Sequence, residues 1–187
     1  DMNTGTGWPF GGPEVSIEDA ASKAIFQTYD IEGGQEIVQD INVTDKKQQP
    51  YSVLSRVMAY DENGRCINLT SHVRKDKLEW KAPAGKWKVI ALYNSKTRQK
   101  VKRAAPGGEG YVMNHLSKNA VKNYLSRFDR AFKSSKTSYP HTFFNDSYEV
   151  YQADWTEDFL DQFARRRGYK LEEHFPEFLD ESRPEVS

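Results

Sequence analysis

Hydrophobic and polar positions follow two different periods along this chain. From about residue 26 to residue 103, apolar and polar residues alternate in short runs that are separated by turn residues, and this pattern predicts strands. Beyond residue 110, apolar residues recur at steps of three and four, which predicts helices. The change of period predicts a β-rich part and an α-rich part within one chain of 187 residues.

Two hairpins are predicted in the β-rich part. Residues 61–64 (DENG) join the run 51–60 to a return strand at 66–70, because Asn-Gly accepts the positive φ angles of a tight turn. Residues 83–85 (PAG) join the run 78–80 to the run 87–93 in the same way. Several short strands with regular turns favour a small antiparallel sandwich or barrel.

Helices are predicted on both sides of a short strand. Ser117 is the expected N-cap of a long helix with one apolar stripe, made of Val121, Tyr124, Leu125, Phe128, Ala131 and Phe132. Residues 142–144 predict a buried strand, and a second helix is expected from its cap at Thr156 to Gly168. A further short helix is predicted from Ser16 to a point before Tyr29. The order helix, strand, helix is typical of a βα unit.

These elements predict an α+β chain in which a small antiparallel β domain is inserted into part of a (β/α)8 barrel. Residues 1–29 are expected to form a barrel loop and a short helix, residues 30–105 the inserted β domain, and residues 106–187 a partial barrel of helix, strand and helix. The insertion is expected to leave the barrel after residue 25 and to return near Gly110. Both ends of the chain suggest a segment of a longer polypeptide.

Charge and composition argue against some classes of partner. Lys+Arg and Asp+Glu each count 27, so the net charge is zero, which argues against a nucleic-acid partner because nucleic-acid binding needs a basic surface. No apolar run is long enough to span a bilayer. The single cysteine, Cys66, excludes an internal disulfide and predicts a buried or half-buried strand residue. The basic run 96–103 is expected to be a solvated strand end or linker.

Two carboxylates stand where barrel enzymes keep their chemistry, after the end of a predicted strand. Asp146 and Glu149 follow the apolar residues 142–144. Glycoside hydrolysis needs one carboxylic acid to protonate the leaving oxygen and a second carboxylate to activate water or attack carbon. Glu149 is the candidate acid, and burial or the neighbouring charge of Asp146 would help it keep its proton. The alternative is that Asp146 caps a turn and Glu149 faces solvent.

Other residues are candidates for contacts with a sugar. Trp8 lies on a loop rich in Gly and Pro, where a rigidly held aromatic ring can stack on a sugar or simply pack within the loop. Asn114 and His115 precede the long helix and can contact hydroxyl groups, although a lone His is more often structural. The four histidines show no metal-ligand spacing, so the residues by themselves indicate no metal site.

Four motifs together carry a resemblance to a known family. They are TGTGWPFGGP (4–13), GYVMNHLS (110–117), NDSYE (145–149) followed by DWT (154–156), and RRGY (166–169). In this order and spacing, they resemble the α-L-rhamnosidases of glycoside hydrolase family 106, whose members are much longer than this chain.

The resemblance implies a secreted or periplasmic hydrolase that removes terminal rhamnose from oligosaccharides or polysaccharides with inversion. It implies calcium in or near the active site, to which Asp146 would give one oxygen, with no complete ligand set in this chain. It makes Glu149 the general acid. The base of an inverting enzyme stands roughly 6.5–9.5 Å from the acid. Asp146 is too close in sequence to Glu149 to be preferred as that base, so we expect the base outside this chain, on a later barrel strand of the parent polypeptide. A glycosidase for another sugar and a non-catalytic carbohydrate-binding or structural module are the alternatives.

Overall fold

Strands dominate the N-terminal half of the computed structural model, which describes residues 2–3, 10–144, 149–180 and 182. They are β1 (Met2–Asn3), β2 (Gly11–Gly12), β3 (Ser22–Glu32), β4 (Glu36–Asp40), β5 (Ser52–Asp61), β6 (Cys66–Asn68), β7 (Val73–Arg74), β8 (Lys77–Lys81) and β9 (Lys86–Lys96). The C-terminal half contains β10 (Tyr111–Val112), α1 (Lys118–Ser135), β11 (Phe143–Phe144), α2 (Phe159–Arg167) and α3 (Phe175–Phe178). Short 3-10 helices cover Gln49–Tyr51, Thr70–His72 and Leu171–His174.

The chain divides into two units. One comprises Asp1–Lys23 and Lys96–Thr156, and we call it the loop unit; the other comprises Ala24–Ser95 and Glu157–Ser187, and we call it the sandwich unit. The residues 106–187, expected from the sequence as one partial barrel, are therefore divided between the units after Thr156.

Two sheets form the sandwich unit, with strand orders β3-β9-β5-β6 and β4-β8-β7. Side chains of both sheets share one apolar core, because every second residue of a strand faces the same side. The buried members of this core are Ile31, Ile41, Val43, Val57, Ala59, Leu69, Leu78, Trp80, Ala82, Trp87, Val89, Ala91 and Tyr93. The antiparallel sandwich predicted from the alternating pattern is thus confirmed.

The other face of the four-stranded sheet packs against the C-terminal segment of the same unit. The Phe26 and Phe175 rings meet edge to face at 5.2 Å, and the Tyr60 hydroxyl donates to the carbonyl of Glu172 at 2.5 Å. Because both of its faces are covered, β9 is buried almost continuously from Trp87 to Tyr93.

One predicted hairpin is confirmed and the other is wrong. The residues 61–64 link β5 to the antiparallel β6, and Gly64 has the positive φ of 80° that the turn requires. The residues 83–85 instead lead from β8 in one sheet to β9 in the other. Trp80 and Trp87 explain the difference, since they face the same core from opposite sheets, with ring centroids 5.1 Å apart.

The loop unit has short strands and a small core. β1 pairs with β11 in parallel, and β2 pairs with β10 antiparallel. The helix α1 packs on this core and is capped as predicted, because the Ser117 hydroxyl accepts from the Ala120 amide at 3.3 Å. The buried core residues are Val15, Ala20, Met113, Ala120 and Tyr124. Leu125, expected in the apolar stripe of the helix, is 41% exposed.

The short helix predicted from Ser16 is wrong. Ser16 accepts from the Asp19 amide at 3.4 Å in a single turn, after which Ala20 forms an antiparallel bridge with Met113. The Ala21 amide donates to the Val112 carbonyl at 2.8 Å, and β3 begins at Ser22. Tertiary backbone pairing therefore overrides the helix propensity of the alanines.

The second long helix begins later than expected. The N-cap of this helix is Asp158 rather than Thr156, and the Asp158 side chain makes no capping hydrogen bond. Thr156 is buried and follows Trp155, which forms a backbone bridge with Ser22. Gly168 ends the helix with a φ of 80°, as predicted. No helix in the described ranges is long and apolar enough to cross a membrane.

The mixture of mostly antiparallel sheets with a few helices confirms the predicted α+β class. The insertion of the β domain into a barrel stays a prediction. The parallel pairing of β1 with β11 is the arrangement that neighbouring barrel strands adopt.

Candidate active site

Glu149 lies in the loop unit, a few residues beyond the end of β11. It is half-buried, and its Oε2 atom lies 3.4 Å from the hydroxyl of Tyr151. Trp8 and Asp146, the other predicted site residues of this region, lie outside the described residues. The described part of the candidate site is therefore the segment from Glu149 to Tyr151 and what holds it.

One side chain holds that segment from the side. The Gln99 Nε2 atom donates to the Glu149 carbonyl at 2.6 Å, and the Gln99 Oε1 atom accepts from the Tyr151 amide at 2.8 Å. The backbone of Gln99 is itself fixed, because the amide of the buried Val112 donates to its carbonyl at 3.0 Å. The candidate acid is thereby tied to β10.

The glycine-rich motifs bring the next part of the site together. β2 and β10 approach so closely that a Cβ atom on Gly110 would overlap the carbonyl of Gly12, and one on Gly11 would overlap that of Tyr111. Only glycine fits such close backbone contacts. The Met113 amide then donates to the Phe10 carbonyl at 2.9 Å, which places the loop end beside the residues that precede α1.

Asn114 is fully buried, and its side chain bonds within the loop unit. Its Nδ2 atom donates to the Ser22 hydroxyl at 3.2 Å and to the Trp155 carbonyl at 3.4 Å, while Oδ1 accepts from the Leu116 amide at 3.0 Å. The adjacent His115 is half-buried, and burial lowers the pKa of its imidazole below the ordinary value. Asn114 thus fixes the turn that carries His115.

Comparison with known proteins bears on what this arrangement does. A family model described as alpha-L-rhamnosidase, that of glycoside hydrolase family 106, matches residues 41–181. The chain belongs to glycoside hydrolase family 106. The match confirms the resemblance seen in the sequence motifs, and it includes Glu149, Asn114 and His115.

Two individual proteins are similar to this family 106 chain. A protein of Formosa agariphila named "Putative beta-glucuronidase" is 27% identical over 212 aligned positions, which cover 91% of this chain and 18% of the relative. A solved rhamnosidase structure from Novosphingobium sp. PP1Y superposes with a TM-score of 0.62 at 16% identity, covering 89% of this chain and 33% of that one. The chain therefore spans only a minor part of the length of either.

The resemblance to family 106 implies calcium in or near the active site. Among the described residues, no group of three or more His, Cys, Asp or Glu side chains lies close enough to hold a metal ion. The described residues thus assemble no calcium cage of the kind that needs six to eight oxygen ligands.

Sequence reasoning missed the contribution of the basic run 96–103. Lys96 is a cross-link of the loop unit, since its Nζ atom donates to the carbonyl of Glu18 at 2.7 Å, to that of Ala20 at 3.3 Å and to the Ser22 hydroxyl at 3.0 Å. The Lys102 ammonium lies 4.9 Å from the centre of the Tyr151 ring. No periodicity in the sequence signals these contacts, because each joins residues far apart in the chain.

A cavity of about 490 Å³ lies within the sandwich unit, and it contains none of the predicted site residues. Buried Tyr60 and Trp87 contribute to its wall, together with the carboxylates of Asp30, Glu32, Asp61, Glu62, Glu173 and Glu177. Because both aromatic side chains are buried, neither offers an open face on which a sugar ring can stack. The candidate active site therefore stays in the loop unit.

Proposed function

We propose that this chain supplies part of the active site of a glycoside hydrolase that removes terminal rhamnose from oligosaccharides or polysaccharides, with Glu149 as the general acid. The observation that supports the proposal is the position of Glu149 within a family 106 match, beyond the parallel strand β11, on a segment held by Gln99. A carboxyl group that follows a parallel strand is the arrangement that barrel glycosidases use.

In the proposed reaction the Glu149 carboxyl gives its proton to the glycosidic oxygen as the bond from that oxygen to the anomeric carbon breaks. A second carboxylate takes a proton from a water molecule, whose oxygen attacks the anomeric carbon from the opposite face and inverts it. Both partners then exchange protons with solvent and return to their starting states. That second carboxylate is expected roughly 6.5–9.5 Å from the acid, beyond the residues of this chain.

The remaining predicted site residues have supporting roles in the proposed function. Trp8 stacks on the sugar, His115 contacts a hydroxyl group, and Asp146 serves as neighbour to the acid or as one calcium ligand. Asn114 supports the substrate contact through the turn that carries His115, since its amide is engaged with Ser22 and Trp155. We also propose a periplasmic or secreted location, which the family resemblance implies.

A second candidate is the same chemistry on a different sugar. The Formosa agariphila relative carries the name of a glucuronidase, whereas the family model carries that of a rhamnosidase. Glucuronic acid carries a carboxylate at C6 where rhamnose carries a methyl group, and the two sugars also differ in ring stereochemistry, so they need different partners in the pocket. Measuring cleavage of matched aryl α-L-rhamnosides and aryl β-glucuronides by the full-length protein would decide between them.

Replacing the proposed acid tests the proposal directly. In the full-length protein, Glu149→Gln is expected to lower kcat on substrates with poor leaving groups about 10²- to 10⁴-fold, and to spare activated aryl glycosides, whose leaving groups need little protonation. Glu14→Gln, at an exposed position of the same unit, is the matched control and should leave both rates unchanged. An equal loss on both substrate classes would contradict the acid assignment.

The 187-residue chain on its own provides a second test. We expect it to release no measurable rhamnose from an aryl rhamnoside, because we propose that the base lies outside it. Hydrolysis by the isolated chain, abolished by Glu149→Gln, would show that the base lies within these residues.

A further inference from the structure

Gln99 makes contacts on both sides of one peptide segment. Its side-chain Nε2 atom donates to the backbone carbonyl of Glu149 at 2.6 Å, and its Oε1 atom accepts from the backbone amide of Tyr151 at 2.8 Å. A primary amide is the side chain that can both donate and accept from one planar group. Gln99 thereby satisfies the two backbone groups that flank Val150.

This pattern is the one that a neighbouring parallel strand would provide. In a parallel ladder, one residue donates to the carbonyl before its partner and accepts from the amide after it. The Gln99 side chain takes the place of such a residue opposite Val150. It therefore fixes the backbone of the segment, and with it the direction in which the Glu149 side chain leaves the chain.

The backbone of Gln99 is itself held by hydrogen bonds. The backbone carbonyl of Gln99 accepts from the backbone amide of Val112, which is 0% exposed. The backbone amide of Gln99 donates to the Thr97 hydroxyl at 3.3 Å. The clamped Tyr151 places its own hydroxyl 3.4 Å from Glu149 Oε2. One half-buried side-chain amide thus holds the backbone of both the proposed acid and the tyrosine whose hydroxyl lies beside its carboxyl group.

We propose that Gln99 is a positioning residue of the hydrolysis, which acts by holding the Glu149 carboxyl in line with the leaving oxygen. This inference rests on the proposed function of Glu149. Proton transfer depends steeply on the placement of the donor, and small misplacements cost large factors in rate. Loss of the clamp should therefore impair protonation of the leaving group more than binding of the sugar.

The test is Gln99→Met in the full-length protein, because methionine keeps the length of the side chain and removes both hydrogen bonds. We expect kcat on substrates with poor leaving groups to fall about tenfold, with KM and the rate on activated aryl glycosides changed less than about twofold. The matched control is Gln49→Met in the sandwich unit, which removes a comparable bond from an amide to the Val43 carbonyl at 2.8 Å. It should show no dependence on the leaving group.

If Gln99→Met does not fold, Gln99→Glu removes the donor to the Glu149 carbonyl and adds a negative charge beside it, while its carboxylate still accepts from the Tyr151 amide. The same selective loss on poor leaving groups is expected. A uniform fall on both substrate classes, or no fall at all, would overturn the positioning role.

Glu149→Gln, measured in parallel, separates the two proposals. A selective loss in Glu149→Gln without one in the Gln99 variants overturns the Gln99 inference alone. The absence of a selective loss in Glu149→Gln overturns the acid assignment, and the role of Gln99 with it.

Discussion

The two units of this chain are stabilised in different ways. The sandwich unit is built on two sheets with a continuous apolar core, in which residues such as Val57, Leu69 and Leu78 are 0% exposed. The loop unit has strands of two residues and a small core, and polar side chains tie its loops together, as Lys96, Gln99 and Asn114 do. The candidate active site lies in the second kind of structure.

This difference has a physical basis. Apolar burial is non-directional, so it stabilises a unit without fixing any one loop to a fraction of an ångström. Hydrogen bonds from side chains to backbone groups contribute less free energy each, but they are directional. A loop that must present a carboxyl group in one orientation needs the second kind of restraint.

The largest effect should come from a truncation in the sandwich core. Leu78→Ala is expected to lower the free energy of unfolding by about 2–5 kcal/mol, because it removes a fully buried side chain and leaves a cavity. Urea titration would measure it. Val38→Ala, at a position that is 68% exposed, is the control and should change stability by less than about 0.5 kcal/mol. Similar values for the two would contradict an apolar origin of sandwich stability.

A smaller and local effect is expected from a polar cross-link of the loop unit. Lys96→Met should cost about 1–3 kcal/mol, since the carbonyls of Glu18 and Ala20 lose their charged donor. Hydrogen exchange should accelerate around residues 16–22 while the amides of β5 and β9 stay protected. Lys122→Met, on an exposed position of α1, is the matched control. Faster exchange in β5 and β9 would mean that the cross-link stabilises more than its own loops.

The stability of the loop unit should depend on pH through His115. Because burial lowers the folded-state pKa of His115, the unfolded chain binds a proton first as the pH falls below the ordinary value near 6.5. Stability contributed by neutral His115 is thus present above that pH and is lost on acidification. His115→Gln should lose less stability between pH 7 and pH 5 than the unmodified chain, as urea titration at both values would show. An identical loss would remove His115 as its cause.

The smallest expected effect concerns Cys66 in the sandwich unit. Burial raises the pKa of its thiol, and the carboxylates of Glu173 and Glu172 raise it further. The thiolate is the reactive form, so a thiol-specific reagent at pH 7 should modify Cys66 more slowly in the folded chain than in urea. Equal rates in the two states would show that the sandwich gives the thiol no protection.

Local pattern predicted much of the sandwich unit but less of the loop unit. The strands around the Asp61 turn, the half-buried Cys66 and the Ser117 cap were predictable because each depends on neighbours a few residues away. The helix expected at Ser16 and the hairpin expected at residues 83–85 were wrong. Backbone pairing with β10 and the assignment of β8 and β9 to different sheets decided those two points.

Some residues of the candidate site were predictable from the sequence and others were not. The motifs indicated Glu149, Asn114 and His115, and the family match confirms the resemblance that carried them. Gln99 gave no signal, because its amide meets the Glu149 carbonyl across 50 residues of chain. No local pattern predicts which distant backbone group a polar side chain will reach.

Local sequence was sufficient to predict the periods of the strands and helices, the turn at Asn63-Gly64, and the order of motifs that identifies family 106. Those features depend on backbone preferences and residue types, which act over a few positions. Three features depend on tertiary contacts instead: β8 and β9 face each other across a core, Lys96 holds the chain before β3, and Gln99 holds the backbone of the candidate acid. These contacts join residues far apart in the chain, where packing and hydrogen-bond satisfaction, rather than propensity, select the partner.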